Sequence, residues 1–484
     1  MDADVIVVGA GNAGLCAAHA ARETGASVLV LEKAPREWSG GNSAFTAGAM
    51  RTVHDGLGDL RDLVEPDERF GVTDVPPYST EDFTQDMARV TLGRGDPEMA
   101  RVLVGDSRAA LRWMAERGIR FRLMYERQAY ERDGRFSFWG GLHVGTVDGG
   151  RGLIEMHHAA AAATGIEIRH EVAVEALEPG TGVVARAPGG ARETLRSRAV
   201  VLAAGGFESN PALRASYLGP NWDVAKVRGT PFNTGEVLQA ALAVGAAPYG
   251  HWSGCHAIQW DRDAPPTGDL EITNRFSRQS YPVGIVVNAD GERFLDEGAD
   301  FRNYTYAKYG AEVLRQPSGW AAQLFDQRSS RLLRTIDYDA PGATRVEADT
   351  VRELGEALGI DPERLERTVR EYNAAIGPGT FDPAVKDGLR TTGLAIDKTN
   401  WALALDSPPY IAFPVTCGIT FTFGGLRVDA DARVLDVAGR PLPGLFAAGE
   451  LVGGLFFHNY PGGSGLTAGA VYGRRAGAAA ALES

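Results

Sequence analysis

An α/β fold is predicted for this chain, with a parallel-sheet domain written in two parts around an inserted α+β domain. Three observations predict it. A strand, a glycine-rich turn, a helix and a second strand follow one another up to Glu32. Two later apolar strands, one central and one near the C-terminus, end in runs of small residues. Between about Trp252 and Thr420 the composition shifts towards Pro, Asp, Arg and aromatic residues. The boundaries so read are 1–251 for the first part, 252–419 for the insert and 420–484 for the second part.

Val5-Ile6-Val7-Val8 is an apolar run of strand length, Gly9-Ala10-Gly11-Asn12-Ala13-Gly14 follows it, and Leu15 to Thr24 read as a helix. Ser27 to Leu31 form the second strand. Gly9 permits the tight turn, Gly11 lets backbone approach a pyrophosphate, and Gly14 lets helix pack on strand. The helix N-terminus turns its positive dipole end to the phosphates. Glu32 lies 18 residues after Gly14, where an acid meets a ribose hydroxyl in dinucleotide-binding units.

Two later segments also match Gly-x-Gly-x-x-Ala. Gly180-Thr181-Gly182 has Pro179 before it and Pro188 soon after, which suits a β-hairpin turn. Gly463-Ser464-Gly465-Leu466-Thr467-Ala468 opens a helix through Val471, Arg474 and Ala478 with no strand directly ahead of it. Its amides suit the N1–C2=O edge of a flavin, where negative charge gathers on reduction. That points to FAD rather than NAD. Ala199 to Gly206 and Gly444 to Glu450 put small residues at strand carboxyl ends, where open α/β sheets bind ligands. In the insert, Val351, Leu354 and Leu358 mark one helix. A second starts at Asp361-Pro362 and carries Leu365, Val369, Tyr372 and Ile376 on one face.

The chain has 484 residues, 62 acidic against 49 basic, and a formal charge of −13. Phosphate backbones and anionic lipid would repel it, so neither nucleic acid nor membrane is expected as a partner. No apolar stretch reaches the ~18 residues of a membrane span. Cys16, Cys255 and Cys417 form no metal or haem spacing, so no metal is expected and the reading is cytoplasmic.

Further segments add to these: Ser39-Gly40-Gly41-Asn42-Ser43, Ala204-Gly205-Gly206-Phe207, Asp290-Gly291-Glu292-Arg293-Phe294, Phe423-Gly424-Gly425-Leu426 and Gly449 to Gly454. In this order they resemble the fumarate reductase and succinate dehydrogenase flavoprotein superfamily. The resemblance implies a Rossmann-type FAD-binding domain split around a capping domain, with the isoalloxazine at their junction. Leu218 to Trp222, Arg228 to Glu236, Trp252 to His256, Thr416 to Phe421 and His458 to Pro461 look most like the FAD-dependent tricarballylate dehydrogenases. The implied FAD contacts are Gly9, Gly11, Gly14, Glu32, Lys33, Gly40, Gly41, Asn42, Ser43, Val172, Ala204, Gly205, Glu450, Gly465 and Leu466. No histidine stands in the Ser39 to Ser43 loop, which implies FAD bound without a covalent tether. Where fumarate reductases grip their dicarboxylate with a histidine and an arginine, this chain has Thr420 and Tyr460. His256 resembles the family's other carboxylate-binding histidine, and Arg302 falls within a residue of its proton-donating arginine.

Forming a C=C bond beside a carboxylate or carbonyl requires hydride loss to flavin N5 and proton loss to a base. Arg302 is read either as that proton carrier, served by Asp296, Glu297 and Asp300, or as a surface ion pair with the same acids. Tyr460 is the alternative acid/base, in a Tyr-Pro-Gly that also resembles 3-ketosteroid dehydrogenases. His256 and His458 stand as further candidates. Three functions follow: dehydrogenation of a small-molecule carboxylate, tricarballylate to cis-aconitate by resemblance; desaturation of a bulkier ketone, suggested by Phe232, Phe276, Phe421, Phe423, Phe456 and Phe457; or a flavoprotein subunit of an electron-transfer or cobalamin-pathway assembly. Arg275, Arg278 and Arg302 are the cations expected to bind a tricarboxylate. The electron acceptor is expected to be another protein or a quinone.

Overall fold

Apolar strands that must be buried on both faces can lie only inside a sheet covered by helices, and Val5–Val8 is buried at all four positions. In the computed structural model, which describes residues 1–178, 180 and 182–483, it is central to a six-stranded sheet. The order is Arg433–Leu435, Pro441–Ala447, Ala199–Leu202, Val5–Val8, Val28–Leu31 and Glu167–Arg169. All neighbours are parallel except the first pair. Val8 lies opposite both Leu31 and Leu202, so Gly9, Glu32 and Ala203 emerge together at the carboxyl edge. The helices Asn12–Glu23 and Ser464–Glu483 pack against each other, which joins the two parts of the domain. The hairpin expected at Gly180 joins the antiparallel strands Ala173–Glu178 and Gly182–Arg186; Pro179 and Thr181 of that turn lie outside the described residues.

The insert is built on another sheet, in which Tyr410–Leu426 pairs with Pro248–Asp261 over nearly their whole lengths. The helices expected at Val351 and Pro362 form as Val351–Leu358 and Pro362–Ala374, and the Asp361 carboxylate caps the second by accepting from Glu363 and Arg364 N–H. They pack with Ile285, Val287 and Leu324 in a core separate from the main one. The expected boundaries at 251/252 and 419/420 each fall inside a strand of the Pro248–Asp261 and Tyr410–Leu426 ribbon. Between the fold's first and fourth parallel strands the chain also adds the helices Thr80–Val90 and Pro97–Ala115. No helix among the described residues is long and apolar enough to cross a membrane, and all three cysteines are free and buried.

Burial has an acid–base consequence. It pushes down the pKa of His19, His54, His143, His157, His158, His170, His251 and His256, to about 4 for His19, His54, His158 and His251. A group held neutral in the fold contributes its full stability above the unfolded pKa of about 6.5 and loses it as pH falls towards the folded value. For the deeply buried His19 and His54 the loss is roughly 3 kcal/mol each at completion. Glu32, Glu208 and Glu450, whose pKa values burial raises, work the other way and recover stability as pH falls towards 4.5. With eight imidazoles against three carboxyls, the melting temperature of FAD-free protein should fall steeply between pH 6.5 and 4.5. A flat profile in thermal melts would contradict the neutral-imidazole assignment.

Candidate active site

The carboxyl edge of the parallel sheet and the underside of the insert enclose a cavity of about 500 Å³. One end is lined by Gly9, Gly11, Glu32, Lys33, Gly40, Gly41, Asn42, Ser43, Val172, Ala204, Gly205, Glu450, Gly465 and Leu466. These are the expected FAD contacts with one exception. Gly14 faces the turn instead, where a Cβ would stand 1.9 Å from Gly9 O, so its task is helix-to-strand packing alone.

These residues fit a dinucleotide. The first turn of Asn12–Glu23 has no side-chain cap, and a Cβ at Gly11 would find its nearest neighbour, Gly40 O, at 3.4 Å. No backbone or side chain closes tightly on Gly11, and the N-terminal turn beside it, where Asn12 N–H donates to Ser43 Oγ at 3.2 Å, is the place a pyrophosphate would take. Glu32 is fixed by accepting from Ala10 N–H and Ala34 N–H, both at 2.8 Å. Lys33 Nζ donates to Glu236 Oε1 at 2.8 Å. Asn42 Nδ2 donates to Glu208 Oε1 at 2.6 Å and also to Thr420 O, while Asn42 Oδ1 accepts from Thr230 N–H at 2.9 Å. Glu450 accepts from Thr422 N–H at 2.8 Å. Burial and the neighbouring Glu208 carboxyl push the Glu450 pKa well up.

At the other end stand His256, Tyr306, Tyr460, Asn303 and the guanidiniums of Arg127, Arg228, Arg302 and Arg334. A bulge places His256: it lies opposite Phe421 while Ala257 lies opposite Ile419, so Thr420 is the extra residue and the imidazole turns into the cavity. Both His256 ring nitrogens are buried without a partner among the described residues, and burial beside Arg228 holds the pKa well below its usual value. Its ring centroid is 4.8 Å from that of Tyr460, whose hydroxyl hydrogen-bonds the Tyr306 hydroxyl. Arg228 Nη1 donates to Thr420 Oγ1 at 2.9 Å.

Arg302 is only 5% exposed, its guanidinium 4.9 Å from the Trp139 ring centroid. Neither the surface ion pair nor the relay through neighbouring acids is present. Asp296 accepts from Thr399 Oγ1 at 2.9 Å, Glu297 from Arg293 Nε at 3.0 Å, and Asp300 pairs with Arg89. Burial, with Arg334 nearby, brings the Arg302 pKa down to about 9. His458 leaves the site. It is exposed and off the cavity lining, and its backbone N–H donates to His251 Nδ1 at 3.0 Å. Arg275 and Arg278 leave it too: Arg278 is fully buried against Asp261 at 2.6 Å, and Arg275 donates to the Ile272 carbonyl at 3.3 Å. Of the phenylalanines, Phe232, Phe421, Phe423 and Phe456 line the cavity, while Phe276 and Phe457 do not. Sequence reasoning missed Arg127, Arg228, Arg334 and Tyr306 as site residues. Arg228 lay in a segment noted for its resemblance, but no local pattern marks the others.

Comparison with known proteins identifies the family. The family model described as FAD binding domain matches residues 4–466. The chain is 30% identical to a 4-oxocyclohexanecarboxylate 2-dehydrogenase of Sinomonas cyclohexanicum, over 96% of this chain and 90% of that protein. It is 29% identical to a probable fumarate reductase of Shewanella frigidimarina, over 98% of this chain and 74% of that protein. Among solved structures, the open conformation of a flavocytochrome c3 fumarate reductase superposes with a TM-score of 0.74 at 27% identity, covering 99% of this chain and 78% of that one.

Proposed function

The chain belongs to the FAD binding domain family, and from that premise we propose that it removes two hydrogens from adjacent carbons of a tricarboxylate, converting tricarballylate to cis-aconitate. It is an FAD-dependent oxidoreductase acting on CH–CH groups, with the FAD held by the cradle from Gly9 to Leu466 and without a covalent tether. One observation carries the choice of substrate. Arg127, Arg228, Arg302 and Arg334 face the cavity, and only Asp337 pairs with any of them among the described residues. Four guanidiniums against one carboxylate leave an excess of three positive charges, the complement of a fully ionised tricarboxylate. The acids of the lining, Glu32, Glu175, Glu236 and Glu450, sit on the nucleotide side and offset none of this. Burying such an excess is costly unless anions complete it.

When bound, FAD supplies the hydride acceptor at flavin N5. The protein's part is to orient the substrate and to take the proton. Arg302 is buried with no ion-pair partner among the described residues, and its pKa is brought down to about 9, so its resting cation can release a proton to solvent and the neutral guanidine so formed takes the proton from the carbon next to the hydride donor. Arg228 and His256, beside Thr420, hold the carboxylate nearest the flavin. The electrons leave to an acceptor protein or quinone. The buried free thiols suit a cytoplasmic setting. The hydroxyl pair of Tyr306 and Tyr460 among Phe421, Phe423 and Phe456 supports a second reading, in which a bulkier ketone is desaturated with Tyr460 as the acid.

Anaerobic mixing of the yellow protein with tricarboxylates, dicarboxylates and cyclic ketones separates the two. Tricarballylate should bleach the flavin fastest, and acid precipitation should release intact FAD into the supernatant. Bleaching by a ketone alone would replace the first reading with the second.

A further inference from the structure

We propose that Arg127 and Arg334, held side by side by Asp337, form a separate subsite for the substrate carboxylate farthest from the reacting carbons, and that this subsite makes the enzyme select tricarboxylates over dicarboxylates. The assignment rests on the reading above and names the residues that set its specificity. Asp337 is fully buried. It accepts from Arg127 Nη2 at 3.0 Å, pairs with Arg334 Nη2, and is itself anchored where Arg278 Nη1 donates to its main-chain oxygen at 2.7 Å. One carboxylate thus holds two guanidiniums at the cavity wall with one positive charge left over. Arg334 donates as well to Gln279 Oε1 at 3.1 Å, and its Nε is buried without a partner among the described residues. Gln128 lines the same wall, its Oε1 likewise unpartnered.

Two features set this group apart from the flavin end. Arg228 reaches the cradle through Thr420, whose carbonyl accepts from Asn42. The bonds of Arg127, Arg334 and Asp337 reach no residue of the nucleotide cradle. The group is also assembled across the two parts of the chain: Arg127 comes from the short helix Tyr125–Gln128 of the first part, Arg334 and Asp337 from the insert. A carboxylate placed against both guanidiniums would balance their charge and tie the insert to the first part at one point. A dicarboxylate that satisfied Arg228 and Arg302 would leave them unbalanced.

The test compares cis-aconitate with citraconate, which keeps its geometry but has a methyl group in place of one carboxymethyl. Neither can donate a hydride to oxidised FAD, so calorimetry on the FAD-loaded protein reads binding alone. Wild-type protein should bind cis-aconitate about 10- to 150-fold more tightly, the range for a hydrogen-bonded charged group. Arg334→Gln and Arg127→Gln should remove most of that margin and leave the citraconate constant within about threefold, while Arg334→Lys keeps part of it. Equal affinities in the wild type would overturn the subsite without any variant, and so would a variant that weakens both ligands alike. Should the binding margin appear while tricarballylate fails to bleach the flavin, the subsite stands and the proposed reaction falls.

Discussion

Replacing Arg302 with lysine should slow flavin reduction by the cognate substrate by about 10² to 10⁴-fold, the usual contribution of a positioned acid or base. The side chain stands in the cavity, nearly buried, over Trp139, and no described acid bonds to it. Lysine keeps a cation but loses the planar fork, and a buried ammonium shifts its pKa readily. The substrate dissociation constant should move much less, because Arg127, Arg228 and Arg334 remain to hold the carboxylates. Single-turnover reduction followed by stopped-flow is the measurement, with Tyr460→Phe in parallel. If the lysine variant reduces at the parental rate and the phenylalanine variant stalls, the proton belongs to Tyr460 and its hydroxyl partner Tyr306.

Changing Gly11 to valine should yield folded, colourless protein. The three glycines of the turn differ in what a side chain would meet. At Gly9, with φ at +103°, a Cβ would stand 2.4 Å from Ala203 O, and at Gly14 it would stand 1.9 Å from Gly9 O. Substitution at either breaks the backbone packing itself. At Gly11 the nearest protein atom is 3.4 Å away, so valine is accommodated by the fold and fills the volume a pyrophosphate needs. FAD content near zero with an unchanged circular dichroism spectrum is the expected result. Retained FAD would sink the cradle assignment, and loss of fold would mean the turn is tighter than the geometry implies.

The dinucleotide turn of the cofactor cradle was legible because its parts are consecutive in the chain. Val5–Val8, Gly9, Gly11 and the following helix form one local unit whose glycine spacing answers to backbone geometry, and Glu32 directly follows the next strand. The capped helix at Asp361-Pro362 was equally local. The arginine-lined wall of the cavity was not legible. Arg275 and Arg278 lie in the insert with Arg302, yet Arg278 is consumed by Asp261 and by the Asp337 main chain. Arg127 and Arg334 stand 207 positions apart and meet only at Asp337.

The sequence by itself determined the dinucleotide unit, the parallel sheet around it and the flavin it holds, since hydrophobic period, glycine position and helix dipole act within a few residues of one another. Only the tertiary structure decided which cations face the cavity and which histidine turns inward. A side chain's burial and charge balance depend on what other segments bring against it. His256 enters the cavity because a bulge at Thr420 shifts the register of a strand more than 160 residues away, and His458, as promising in sequence, stays in solvent.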